Sequence, residues 1–230
     1  MKRLEGKWAL VTGASRGVGR QVALALAMEG CGMILHSRAK GHTDVLAATL
    51  RERGTTVHQV AAELSDTSVI PILASEVKGL CGALDILYNN AAIMTPYHEN
   101  WMEVVASEYE LSFRVNTIAP IILSNFFLPM MIAGKWGRIV NLTSGIKDEP
   151  ELMAYAASKA ALDKYVFDMA PKLAGSGVTM NLLDPGWLRT ELGGPNATGA
   201  VESVLPGALV PALASDGKSG QFLRAQDYHG

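Results

Sequence analysis

Cysteine is scarce in this chain of 230 residues, with only Cys31 and Cys81. Two such residues make neither a disulfide framework nor a metal-ligand or thiol-redox spacing, which fits a reducing, cytoplasmic setting. Charge is thin as well: Asp, Glu, Lys and Arg make up 18% of the residues and the net charge is −2. That leaves no basic field for nucleic acid or an anionic membrane, and no run of one sign to form a tail. After the basic Met1-Lys2-Arg3, the apolar run from Trp8 to Val11 stops at Thr12-Gly13, too short for a signal-peptide core. The apolar stretch IAPIILSNFFLPMMIA, from Ile118 to Ala133, is short for a membrane span and is interrupted by Pro120, Ser124, Asn125 and Pro129. Its expected place is a buried helix, apolar nearly all round, that also faces a second subunit. With nucleic acid and membrane set aside, small-molecule chemistry is the class that remains.

What the chain does have is 49% apolar residues, enough for one large core, and one domain over residues 1–230 is expected. Short β-rich runs at 8–12, 32–37, 55–60, 84–89, 137–142, 178–183 and 220–224 alternate with helical patterns at 17–29, 42–53, 67–80, 100–131, 152–174 and 199–215. Strands alternating with helices imply an α/β fold with a predominantly parallel seven-stranded sheet covered by helices on both faces. In such a sheet, ligands bind beyond the carboxyl ends of the strands, so each candidate site should follow a strand.

The first to do so is TGASRGVG, from Thr12 to Gly19, between the first strand and the first helix. Its glycines permit a tight turn and close backbone approach, and the free N–H groups opening the helix suit a pyrophosphate. A plain strand-to-helix turn is the alternative, while a nucleoside-triphosphatase loop is excluded by the missing Gly-Lys-Ser/Thr ending. Further along, AYAASKAAL places Tyr155 and Lys159 four residues apart on an alanine-rich helix. Both can then address one object, although spacing alone also permits a surface pair.

Taken together, these pieces resemble the short-chain dehydrogenase/reductase family over nearly the whole chain, and the resemblance implies its compact, doubly wound Rossmann fold. TGASRGVG is similar to that family's TGxxxGxG, and Asn89-Asn90-Ala91-Ala92 to its NNAG, with alanine for the last glycine. Val115-Asn116 resembles the helix asparagine, Thr143-Ser144 the catalytic serine, Tyr155 to Lys159 YxxxK, and Pro185-Gly186 with Thr190 PGxxxT. The resemblance implies a catalytic set of Asn116, Ser144, Tyr155 and Lys159. It also implies a dinucleotide lying along Gly13, Ser15, Arg16, Gly17, Val18 and Gly19. The same cofactor would meet Glu63 and Leu64, then Asn90, Ala91 and Ala92, then Tyr155 and Lys159, and finally Pro185, Gly186, Trp187, Leu188 and Thr190. Glu63 stands where the family commonly has Asp, which leaves the adenine contact open. No metal is implied.

The chemistry accounts for these residue types. Carbonyl reduction needs a proton for the oxygen, and a phenol of ordinary pKa near ~10 is a poor base for the reverse step. Lys159, together with the positive ring of an oxidised nicotinamide, is expected to lower Tyr155 by roughly two to three units. By resemblance, Lys159 holds the nicotinamide ribose and Ser144 the substrate oxygen. By the same resemblance Asn116 keeps a water in the proton path; repairing a break in its helix is another role for it, and the two do not exclude each other. After the second strand, His36-Ser37-Arg38 offers no carboxylate to an adenosine ribose, whereas Arg16 and Arg38 suit a 2′-phosphate. NADP(H) is therefore expected over NAD(H). Residues 191–215 read as a substrate loop and helix region, with 191–199 either a mobile loop or a plain surface connection. Met94, Tyr97, Ile146, Leu152, Met153 and Trp187 are candidate pocket walls for an apolar carbonyl or alcohol. The resulting expectation is a homodimeric or homotetrameric oxidoreductase. The competing reading is a nucleotide-binding regulatory protein with little turnover.

Overall fold

The apolar runs lie side by side as strands in a computed structural model that describes residues 2–228. Along the chain these are β1 (Trp8–Val11), α1 (Gly17–Met28), β2 (Gly32–Ser37), α2 (Asp44–Glu52), β3 (Val57–Ala61), α3 (Ile70–Cys81) and β4 (Ile86–Asn89). There follow α4 (Ala106–Phe113), α5 (Ala119–Ala133), β5 (Gly137–Leu142), α6 (Met153–Met169), β6 (Val178–Asp184), α7 (Val210–Leu213) and β7 (Phe222–Arg224). Among the described residues the strands form one sheet of seven, in the order β3-β2-β1-β4-β5-β6-β7. Every pairing is parallel.

Parallel strands covered on both faces must be apolar on both, and successive residues of β1 divide accordingly. Ala9 and Val11 point into a core shared with α1 and α2, while Leu10 points into one shared with α3, α5 and α6. Strand order reverses between β1 and β4. The carboxyl ends of those strands therefore open a crevice, and the loops after β1, β4, β5 and β6 gather around it.

Three helical expectations are redrawn. The helix expected over 100–131 begins at Ala106 and, beyond α4, passes through a π-turn at Arg114–Ile118 before α5. This stretch, Ala106–Ala133, is long and apolar enough to cross a membrane, but its residues Ala119, Leu123, Phe127 and Met131 are spent on the sheet core. The pattern at 199–215 breaks into 3₁₀ turns at Val201–Val204 and Gly207–Leu209 and the four residues of α7. Pro206, Gly207 and Pro211 explain the break, since proline removes backbone donors and glycine favours leaving the helix. Likewise α6 tightens after Met169 into a 3₁₀ turn containing Pro171.

Candidate active site

Between β1 and α1 the chain turns through Gly13 (φ +65°) and Gly17 (φ +57°), a region that L side chains avoid. Gly19 has a different reason to be glycine. A methyl group there would lie 2.4 Å from both the Gly13 carbonyl oxygen and the Asn90 amide nitrogen. Arg16 caps α1 in an extended conformation without a side-chain cap bond, and no acidic residue occupies the helix's first turn. The opening N–H groups of a twelve-residue helix thus face a glycine-lined cradle with no acidic residue in the helix's own first turn, which fits a pyrophosphate.

The next loop closes on this turn. Asn90 donates from its side-chain amide to the carbonyls of Thr12 (2.7 Å) and Gly13 (3.1 Å). The Thr12 hydroxyl accepts from the backbone N–H of Asn90 and of Ala91, both at 3.0 Å. His36, at the end of β2, is a residue that motif reading passed over. Its Nδ1 accepts from the Gly13 N–H at 3.3 Å, and its Nε2 lies 3.1 Å from the Ala62 carbonyl, so one neutral ring ties three strand ends. Burial pushes its pKa down to about 4, against a smaller upward pull from the Ala62 carbonyl.

The four expected catalytic residues converge. Lys159 is buried and donates to the Leu142 carbonyl at 2.8 Å, leaving two of its three ammonium protons for other partners. Its nitrogen stands 5.8 Å from the centre of the Tyr155 ring. The Ser144 hydroxyl accepts from the Ile146 N–H at 3.2 Å and stands close enough to the Tyr155 phenol to favour its ionised form. Asn116 sits in the π-turn, where the Ala119 N–H reaches back to the Arg114 carbonyl. Its side chain brackets Ile93, accepting from that N–H and donating to that carbonyl at 2.9 Å each, and donates to the Ser158 hydroxyl at 3.0 Å. These contacts tie the π-turn to the loop after β4 and to α6, and none of them goes to the backbone of the helix that carries Asn116.

In the chain by itself burial raises the Tyr155 phenol to about 12, the Ser144 hydroxyl opposes the rise, and Asp184 and Asp163 add to it. Lys159 falls to about 8 because burial penalises its charge, and the Asp163 carboxylate acts against that fall. The chain by itself therefore holds Tyr155 as a protonated acid at neutral pH.

Other expected contacts are distributed unevenly. Arg16 is ion-paired with Glu191, and Arg38 approaches Glu63 at 3.9 Å, all four side chains well exposed. Glu63 also accepts from the Ser65 N–H at 3.1 Å, beside a cavity of about 210 Å³ lined by Ala61, Ala62, Asp66 and Val69. A cavity of about 300 Å³ at Arg3, Pro206, Leu209 and Leu213 touches none of the expected site residues. Leu64 and Leu188 put their side chains into the core, leaving only backbone for a ligand. Gly186 (φ +81°) is backed by Gln226, whose amide donates to the Pro185 carbonyl at 2.9 Å. Residues 191–199 are held down: Trp187 donates to the Gly193 carbonyl at 2.8 Å, Thr190 accepts from the Gly193 N–H at 3.0 Å, and Arg189 donates to the Ala197 and Thr198 carbonyls. Of the expected pocket walls, Met94, Tyr97, Met153 and Trp187 are exposed, and Ile146 and Leu152 half-buried.

Comparison with known proteins bears on this arrangement. Residues 7–199 match the family model for short chain dehydrogenases. A short chain dehydrogenase of Pseudocercospora fijiensis is 32% identical over 204 residues, covering 84% of this chain and 63% of that longer protein. Among solved structures, the promiscuous reductase LugOII, which catalyses a keto-reduction at C1 in lugdunomycin biosynthesis, superposes with a TM-score of 0.84 at 32% identity, covering 99% of this chain and 98% of that one. A gluconate 5-dehydrogenase from Burkholderia cenocepacia, solved with NADP and tartrate, superposes at 0.86 with 27% identity, covering 96% and 94%.

Proposed function

The chain belongs to the short-chain dehydrogenase family, and we propose that within it this protein is an NADP(H)-dependent reductase of small, uncharged, apolar carbonyl compounds. The observation that carries the reading is the meeting of Tyr155, Ser144 and Lys159 at the carboxyl end of β5, with the Lys159 nitrogen 5.8 Å from the centre of the Tyr155 ring and anchored on the Leu142 carbonyl. When bound, the dinucleotide supplies the hydride. The chain's own share is to bind, orient and protonate. Ser144 and Tyr155 hold the carbonyl oxygen between two hydroxyl donors, and the Tyr155 proton passes to that oxygen. The free ammonium protons of Lys159 hold a ribose hydroxyl and favour the phenolate left behind.

Arg16 and Arg38, with no carboxylate at Ser37, support NADP(H) over NAD(H), as does the NADP bound in the gluconate 5-dehydrogenase. The substrate class follows from the mouth of the site. Exposed Met94, Trp101, Met102, Met153 and Trp187 offer apolar surface, and Glu99, Glu149 and Glu151 stand around Tyr97. An acidic rim repels carboxylates and acyl-carrier proteins alike and leaves neutral ketones and aldehydes unhindered.

The test is NADPH consumption over a panel of ketones and aldehydes paired by size, one neutral and one anionic member each. Neutral members should show the higher kcat/KM, and Tyr155→Phe should lower turnover by roughly 10² to 10⁴ with NADPH binding nearly unchanged. Preference for the anionic members would overturn the substrate class; normal turnover by Tyr155→Phe would overturn the chemistry.

A further inference from the structure

Asp163 lies four residues beyond Lys159 and eight beyond Tyr155 on α6, so the three share one face of the helix. Its Oδ1 accepts from the Thr143 hydroxyl at 2.5 Å. Thr143 directly precedes Ser144, and Leu142, whose carbonyl takes the Lys159 proton, directly precedes Thr143. One carboxylate on the helix thus grips the strand end from which both Ser144 and the Lys159 acceptor hang. Resemblance gave this residue no part in the site.

We propose that Asp163 is a positioning residue: its carboxylate, fixed by the Thr143 hydroxyl, keeps the buried Lys159 ammonium charged and holds the Ser144 segment against α6. The inference rests on Tyr155 and Lys159 being the acid–base pair. A buried ammonium with a single carbonyl partner is costly to keep charged unless a carboxylate compensates. The groups around Lys159 leave Asp163 in that role. On its own helix Lys159 has Tyr155 one turn before it and Asp163 one turn after it. The end of β5 brings the Leu142 carbonyl, Thr143 and Ser144, and the π-turn brings Asn116 and Thr117, none of them acidic. From β6 comes Asp184, which acts on Tyr155 and Asp163 but is not among the groups that shift Lys159. Asp184 is also engaged elsewhere, accepting from the Gly186 N–H at 2.9 Å.

The experiment has one arm without cofactor and one with it. In the apoprotein carrying ¹³Cε-labelled lysine, the Lys159 resonance, assigned by its loss in Lys159→Arg, is titrated by NMR. Asp163→Asn, which keeps an acceptor for Thr143 and removes the charge, should move the Lys159 midpoint down by about one pH unit or more. Asp163→Glu should return it toward the parent value, and Thr143→Val, which keeps the charge but frees the carboxylate, should move it in the same direction as Asp163→Asn by a smaller amount. In the second arm, the alkaline limb of kcat/KM for NADPH-dependent reduction should move with the same signs. Should Asp163→Asn fail to fold, Asp163→Ser removes the charge and retains a hydroxyl for Thr143. An unmoved Lys159 titration in the charge-removing variant would overturn the proposal whatever the turnover. A moved titration without any turnover would count against the reductase reading alone.

Discussion

His36 is the group whose protonation the fold restricts most visibly. Its ordinary value of 6.5 falls to about 4 because the ring is buried with both nitrogens engaged. As pH falls below 6.5 the unfolded chain takes up this proton and the folded one does not, so the stability His36 contributes is complete above 6.5 and is lost towards pH 4. The full linkage is about 3 kcal/mol, of which about 2 is gone by pH 5. Urea unfolding at pH 7 and pH 5 should show that loss, and His36→Asn should flatten the pH dependence while lowering stability at pH 7. Lys159 sets the opposite limb. Charged below about 8, it should let reduction proceed through neutral pH and fail above that value, which a kcat/KM profile checks. At this scale the sequence was legible wherever a motif names a residue, as at Tyr155 and Ser144. It was opaque where the role depends on what lies across the fold, as with His36. Asp163 is intermediate, since its i+4 spacing from Lys159 is readable but its grip on Thr143 is not.

Among elements, the strands were legible because burial on both faces leaves unbroken apolar runs, and β2 and β5 carry the expected boundaries. The region 199–215 misled because its apolar spacing suits a helix while Pro206 and Pro211 forbid one; spacing records which side is buried, not whether donors exist. In the 191–199 loop Gly193 is needed for close approach, since a methyl group there would lie 2.2 Å from the Leu188 carbonyl oxygen. Two predictions belong to these elements. Gly19→Ala forces the Gly13 carbonyl and Asn90 apart, so NADPH binding, followed by its fluorescence, should fall at least tenfold. Glu191→Gln releases Arg16 from an exposed ion pair, so NADPH affinity should rise by a few-fold at low salt and the gain should shrink as salt is added.

The molecule as a whole leaves Val105, Leu111, Ile118 and Phe167 exposed on the α4, π-turn and α6 surface. That surface supports a homodimer or tetramer, and sedimentation should find an oligomer at micromolar concentration that Leu111→Glu with Phe167→Glu dissociates. The fold is also stitched over long separations: the Tyr88 hydroxyl donates to the Ala208 carbonyl 120 positions away. Gln226 has a consequence in time. The turn at Pro185-Gly186 is propped by a side chain made 41 residues later, and synthesis at about 5–20 residues per second puts roughly 2 to 8 s between them. Through that interval the emerging chain already contains Tyr155, Lys159 and the glycine-rich turn but lacks the prop beneath one wall of the cofactor crevice. Cofactor capture should therefore come late in the life of each molecule, and NADPH supplied during synthesis should protect the completed chain from protease far better than one released before Gln226.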